Sequence, residues 1–434
     1  MHQVAPAAPG TAGAGARTDR RFAIFWSGQT VSQFGDRISE LALPLIAVAL
    51  LHANARQAAL LTALIWLPNT VAPVVGAWID SRPHKRLMMI AADVTRAAAL
   101  LSLPVAYGAH ALGLGQLYVV GAVTGVGQTV FDVAYPAFFV TLIPRTGYVA
   151  ANSRLNMSRS LSYVVGPAVG GALVQAITAP AAAAVDAVSF LFSATMIGRI
   201  RTKGLPPASD SHLPLRTRMA AGARFIFRHP VLRASLACST TMNFFMYAAQ
   251  AIVILFANRV LGLPAGMIGL ALGAGAVGGL AGAVLARRAI GVLGLGRTIM
   301  LGAALYPSPL VLLVLAGGAH GKSFLLLGAT EFLSGLGVMF FDIGNNSLRA
   351  AVTPDHLRSR IAGAYSSINY GSRPLGALVG GWLATGIGMR PTLLIAGVCG
   401  AAGSLLLLPS PVPGIKVVPE PVAAGDRPEP GSGG

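Results

Sequence analysis

Long apolar runs, separated by short clusters of charged and turn-forming residues, occupy most of the chain. Twelve of them reach the roughly 20 residues that a helix needs to cross a ~30 Å hydrocarbon core. They lie at about 22–51, 57–79, 86–108, 115–142, 150–177, 180–199, 232–258, 265–286, 296–317, 323–350, 360–386 and 391–410. Backbone polar groups at membrane depth must be satisfied within the segment, so runs of this length predict helices. The chain reads as an all-α membrane protein of twelve transmembrane helices. Residues 22–199 and 232–410 would form two six-helix halves. Residues 200–231 carry Pro206, Pro207 and Pro214 and then an Arg-rich amphipathic stretch, which predicts a linker with a helix on the membrane surface. Residues 1–21 and 411–434 are rich in Ala, Gly and Pro and read as disordered tails.

Composition sharpens this picture. Of 434 residues, 54% are hydrophobic and only 11% charged, against roughly 25% charged in soluble domains. The chain cannot clothe itself in a water-facing surface, so its main partner is the lipid bilayer. The net charge of +18 does not indicate nucleic acid, because the basic residues gather in the loops on one side. With the N-terminus inside, 22 Lys and Arg fall on the cytoplasmic side and only Arg56, Arg259, Lys322 and Arg390 opposite. That bias predicts both termini in the cytoplasm of a multi-pass plasma-membrane protein. Cys238 and Cys399 lie in separate apolar runs and offer neither a disulfide framework nor a metal site. No phosphate-binding loop or catalytic constellation is present, so neither an enzyme nor a cofactor is expected.

An internal repeat divides the chain. Residues from Gly125 to Leu173 recur from Gly335 to Leu383 at a constant spacing of 210, with eleven identities that include Phe131–Asp132 and Phe341–Asp342. An Asp inside an apolar run is rare, so composition alone does not explain the match. Two pseudo-symmetric halves with a site between them is a common plan of secondary transporters.

Three motifs carry a family resemblance. The loop after the second run reads Gly76-Ala-Trp-Ile-Asp80-Ser-Arg82-Pro-His-Lys85-Arg86, which resembles the loop signature of the major facilitator superfamily. The resemblance implies a gating loop in which Gly76 allows close helix approach and Asp80 pairs with Arg86 or a helix N-terminus. The second copy has Ala286 in place of the acid. In the fifth run, Gly166-Pro167-Ala-Val-Gly170-Gly171 resembles the antiporter motif of drug/proton exchangers, with Ser162 where the family has Gly. Its small residues would let helices pack closely while Pro167 bends one. The stretch from Ser27 to Pro44 is similar to bacterial efflux permeases of the siderophore and macrolide exporter branch. The Arg that many such antiporters carry early in the fourth span is absent here.

Ionisable groups at membrane depth cost at least ~2.5–3.5 kcal/mol each and mark function by default. Gln29, Gln33, Asp36 and Glu40 share one helical stripe. Asp36 is the first-choice proton carrier, with Glu40 one turn away. Asp132 and Asp342 read equally as cavity acids or as twin structural hubs. Glu331, whose repeat partner is Gly121, is a third candidate for proton coupling. Asn156, Arg159, Tyr163, Asn243, Tyr247, Asn345, Asn346, Asn369 and Arg373 are candidate linings of a substrate cavity. Asp93 with Arg96, and Asp186, read as structural. The chain is expected to act as a monomer that exports a small amphipathic compound by proton antiport. Siderophore export, proton-coupled uptake and a non-transporting sensor are the alternatives.

Overall fold

The computed structural model describes residues 11–80, 82–144, 147–200, 215–354 and 357–417. Its elements run in the order α1 (Thr11–Leu45), α2 (Ala55–Trp66), α3 (Ala72–Asp80), α4 (Lys85–Gly108), α5 (Leu114–Leu142), α6 (Tyr148–Ile177) and α7 (Ala179–Arg199). After α8 (Leu215–Arg228) come α9 (Pro230–Arg259), α10 (Ala265–Leu293), α11 (Leu295–Leu305), α12 (His320–Val352), α13 (Arg358–Gly386) and α14 (Met389–Ala402). Proline accounts for two breaks. A short 3-10 stretch, Leu67–Val71, contains Pro68 and splits the second span into α2 and α3. Pro307 and Pro309 end α11, and a 3-10 turn, Ser308–Leu315, completes that span. A capping box starts α2: Asn54 Oδ1 accepts from the Gln57 amide at 3.0 Å, and the Asn54 amide donates to Gln57 Oε1 at 2.8 Å.

Among the described residues, ten helices are long and apolar enough to cross a membrane. The two expected spans outside that set are α1 and α13, which are long enough but too polar. They carry Gln29, Asp36, Arg37 and Glu40, and Asn369, Tyr370 and Arg373. Helix α1 packs on α6 and α7, and α13 on α9 and α2. Gln29 of α1 and Asn369 of α13 are buried within the protein, where polar side chains are tolerated at membrane depth.

Two tail boundaries are corrected. Helix α1 begins at Thr11, inside the stretch expected as a tail. Residues beyond 410 also pack: Val412 is fully buried against α11, and the Leu295 and Gly296 amides donate to Lys416 O (3.0 Å) and Ile415 O (2.8 Å). The α11 N-terminus needs acceptors for its free N–H groups, and this segment supplies them. The expected surface helix is α8, but it is docked: Ile226 is fully buried with Leu232, Leu236 and Ile361, and a Cβ on Gly222 would strike the Arg360 backbone. Pro206, Pro207 and Pro214 lie outside the described residues.

The repeated glycines occupy helix crossings. A Cβ on Gly127 would meet the Arg96 side chain at 2.5 Å, and one on its repeat partner Gly337 would meet the Tyr306 amide at 2.5 Å. Arg96 and Tyr306 are themselves 210 apart. The repeat therefore records a shared packing frame whose filling differs between the halves.

Candidate functional site

The antiporter-like motif performs one structural task in both halves. Gly166 and Gly170 face α1, where a Cβ would meet Arg37 Cβ at 2.5 Å and Ile38 Cα at 3.1 Å. Their partners Gly376 and Gly380 press on the α9 backbone at Phe244 and Ala248. The third glycine crosses between halves. Gly171 packs on α10, with the Ala265 carbonyl 2.5 Å and Gly269 Cα 3.0 Å from its ideal Cβ, and Gly381 packs on α2 at Ala55 and Ala59. These seams lie at the face opposite the basic loops. Two hydrogen bonds join the halves at that face: Arg259 Nη2 donates to Val48 O (3.1 Å) and the Gly266 amide to Gln175 Oε1 (3.1 Å).

Toward the centre, each half presents a guanidinium over a tyrosine. Arg37 of α1 lies 4.3 Å over the Tyr163 ring of α6 and pairs with Glu40 at 2.5 Å. Arg373 of α13 lies over Tyr247 (4.9 Å), Tyr370 (4.1 Å) and Trp66 of α2 (4.7 Å). Positions 37 and 247 are repeat partners, as are 163 and 373, so cation and ring have exchanged places between the halves. Trp66 also meets Tyr247 edge-on, centroids 5.1 Å apart. Trp66 thus ties the C-terminal guanidinium to the N-terminal half. Half of the Glu40 side chain (54%) is accessible. These contacts place a polar, aromatic cluster at the junction of the two halves.

A second constellation lies within the N-terminal half, mostly buried. Asp36 of α1 forms an ion pair with Arg96 of α4, whose Nη1 is also 3.6 Å from Asp93 Oδ1. Arg96 lies 3.7 Å over the Phe190 ring of α7. Asp186 of α7 accepts from Ser39 of α1 and from Ser189 at 3.0 Å. The expected Asp93–Arg96 pair exists, but the tighter partner of Arg96 is Asp36. Asp186 bridges to α1 one turn beyond Asp36.

The remaining candidates are dispersed. Asp132 is exposed, accepts from Gln128 at 2.9 Å and has Arg96, Asp36 and Arg159 as charged neighbours. Asp342 has Arg373 and Arg349. Glu331 sits against Gly275 of α10. Arg159 is exposed, 5.9 Å from the Tyr163 ring, and Asn156 and Asn346 are exposed, the latter accepting from Arg349 at 3.1 Å. Asn243 donates to Ser239 O at 2.9 Å, and Gln33 Oε1 is buried without a partner.

Three of the expected cavity residues are buried, as is Tyr247. Gln29 is buried toward Ser193 of α7 (3.4 Å), and Asn369 is buried. Asn345 is buried among Ser235 (2.5 Å) and Tyr365 (3.3 Å). A helix has two polar-competent faces, and the sequence does not say which one meets a neighbouring helix.

The gating-loop reading also changes. A Cβ on Gly76 would lie 3.5 Å from Val133, an ordinary contact, so close approach does not require glycine there. Arg86 donates to Ile197 O (3.0 Å) and Gly198 O, capping α7. Arg82 covers the Trp78 ring at 5.4 Å. The Asp80 side chain lies outside the described residues. Sequence reasoning does not reach Trp66, Tyr306 or Ser39, which contact Arg373, Gly337 and Asp186. The 210-residue spacing that pairs Tyr306 with Arg96 was the available signal for one of them.

A family model described as Major Facilitator Superfamily matches residues 25–370 and 236–428. "Multidrug efflux pump Tap" of Mycolicibacterium fortuitum is 27% identical over 383 residues, covering 83% of this chain and 88% of that protein. A bacterial homologue of the iron transporter ferroportin in its inward-facing state superposes with a TM-score of 0.70 at 17% identity, covering 90% of this chain and 98% of that one. The structure titled as its outward-facing state gives 0.57 at 18% identity, with the same coverage.

Proposed function

The chain belongs to the major facilitator superfamily, and from that premise we propose that it exports a small amphipathic compound, such as a drug, antibiotic or natural product, by alternating access in antiport with protons. The observation that carries this reading is the polar, aromatic cluster at the junction of the halves, with small-residue seams joining them at one face. The basic-residue bias supports a cytoplasmic location for both termini in the plasma membrane. On that orientation the seams close the outer side, and substrate enters between the halves from the cytoplasm. The name of the Tap relative supports the direction of transport and the drug class.

Asp36 is the proton carrier in this scheme. Its ion pair with Arg96 must open when it takes a proton, which links protonation to the α1–α4 contact. Each proton moving down 100 mV supplies ~2.3 kcal/mol. One chain suffices as the working unit.

An antibiotic-resistance panel, with and without the chain, identifies a substrate. Inverted vesicles given a proton gradient then read transport. Wild type is expected to accumulate substrate when the gradient is imposed. Asp36→Asn is expected to insert normally and lose gradient-driven transport. Full activity of that variant overturns the assignment of Asp36. A strain protected against no compound, but releasing more iron chelator with the chain, would favour siderophore export.

A further inference from the structure

We propose that Asp186 is a sealed proton-binding site that exchanges its proton with Asp36 as Arg96 moves between the two carboxylates.

The argument begins with placement. Asp186 is fully buried, and so is Asp93, whereas Asp36 keeps 22% of its side chain accessible. Gly35 is what lets Asp186 reach α1: a Cβ there would collide with the Asp186 carboxylate and the Ser189 hydroxyl. A residue without a side chain, next to Asp36, thus opens a slot for a second carboxyl group.

Charge counting gives the next step. The groups facing Asp186 are Asp36 and Arg37 from α1 and Arg96 from α4, with Asp93 held beyond Arg96. Arg37 already pairs with Glu40. Four carboxylates therefore share two guanidinium groups. Fully ionised, the cluster would bury two uncompensated negative charges, and a carboxyl group in that position takes a proton instead. Asp186 is the acid with neither a guanidinium partner nor access to water. Its partners are the hydroxyls of Ser39 and Ser189, which serve a neutral carboxyl as well as a carboxylate. Asp93, equally buried, keeps Arg96 as a guanidinium neighbour at 3.6 Å.

The symmetry of the fold supplies an independent observation. Adding 210 to Asp36, Asp93, Arg96 and Asp186 gives Met246, Ala303, Tyr306 and Ala396. The same frame holds together in the C-terminal half with no charge at these positions. Helix packing does not require the cluster.

The exchange balances. Before it, Asp186 is a neutral acid and Asp36 a carboxylate bound to Arg96. The O–H bond on Asp186 breaks and one forms on Asp36, while Arg96 transfers its ion pair to Asp186. Net charge is unchanged. The proton has passed from a group closed to solvent to one that is partly accessible.

This inference rests on the proton-antiport reading, but its test does not use transport. Infrared spectra of the purified full-length protein at neutral pH are expected to contain the C=O stretch of a neutral carboxylic acid. Asp186→Asn should remove it, and Asp36→Asn, which frees Arg96 to pair with Asp186, should diminish it. Ser39→Ala, which leaves the carboxyl in place, should shift its frequency by removing a hydrogen bond. Identical spectra for wild type and Asp186→Asn, or an unshifted band in Ser39→Ala, overturn the proposal. A band assigned to Asp186 in a protein that does not couple to protons would refute antiport and leave the site standing.

Discussion

Gly171→Ala tests whether the small-residue seam holds the far face shut. The ideal Cβ at position 171 lies 2.5 Å from the Ala265 carbonyl oxygen, 3.0 Å from Gly269 Cα and 3.2 Å from Gly266 Cα. All three are backbone atoms, so no side chain can swing away. Restoring an ordinary 3.4 Å contact to the carbonyl requires α6 and α10 to part by about 0.9 Å. Overpacking of this kind costs ~1–3 kcal/mol. The cost falls only on the state in which the seam is closed, so it shifts the balance between closed and open by ~5–150-fold. Gly381→Ala should act in the same direction from the opposite side, where the Cβ would meet the Ala55 carbonyl at 2.8 Å. Gly371→Ala is the control, because a Cβ there meets nothing within 4 Å. Spin labels at Ala111→Cys and Ala319→Cys, both exposed in loops at the far face, report the gap by pulsed electron resonance once Cys238 and Cys399 are replaced. The expected result is a longer-distance population that grows in Gly171→Ala and not in Gly371→Ala. An unchanged distribution in Gly171→Ala would refute the seam as the closing element.

Arg96→Gln leaves Asp36 and Asp93 without their shared cation, and breaking such a buried pair is expected to cost ~3–5 kcal/mol. A thermal melt of the purified protein should show the loss, with partial recovery in Arg96→Lys. Tyr365→Phe removes a hydroxyl that meets Ser239 (2.8 Å), Ser235 (3.0 Å) and Asn345 (3.3 Å). The stranded polar groups should cost ~1–3 kcal/mol in the same melt, while a fall below ~0.5 kcal/mol would mean that the cluster rearranges. Trp66→Ala removes one ring from Arg373 across the halves, an interaction of ~0.5–2 kcal/mol. The far-face label pair should report more open protein, and an unshifted gap would show that this contact does not hold the halves.

The helices were legible because apolar run length and loop charge are local properties of the chain. The repeat was legible too, since Gly125, Gly127 and Asp132 return at one spacing. Other features lay below that resolution. The tail after residue 410 contains Val412, whose burial against α11 depends on a partner more than 100 positions away. Asp186 read as structural because nothing near it in sequence announces Ser39. Glycines were ambiguous singly: Gly76 has room for a side chain, while Gly35 and Gly171 have none.

The sequence by itself determined a twelve-run membrane chain of two related halves, its orientation bias, and the acids and arginines that lipid alone could not accommodate. Tertiary structure decided which of those charges meet. It paired Asp36 with Arg96, not with its chain neighbour Arg37. It set Arg37 and Arg373 over exchanged tyrosines, and buried Gln29, Asn345 and Asn369. The physical reason is that hydrophobicity and periodicity are summed along one helix, whereas ion pairs and ring contacts depend on the rotation of one helix against another. That rotation is set by where small residues allow backbones to touch.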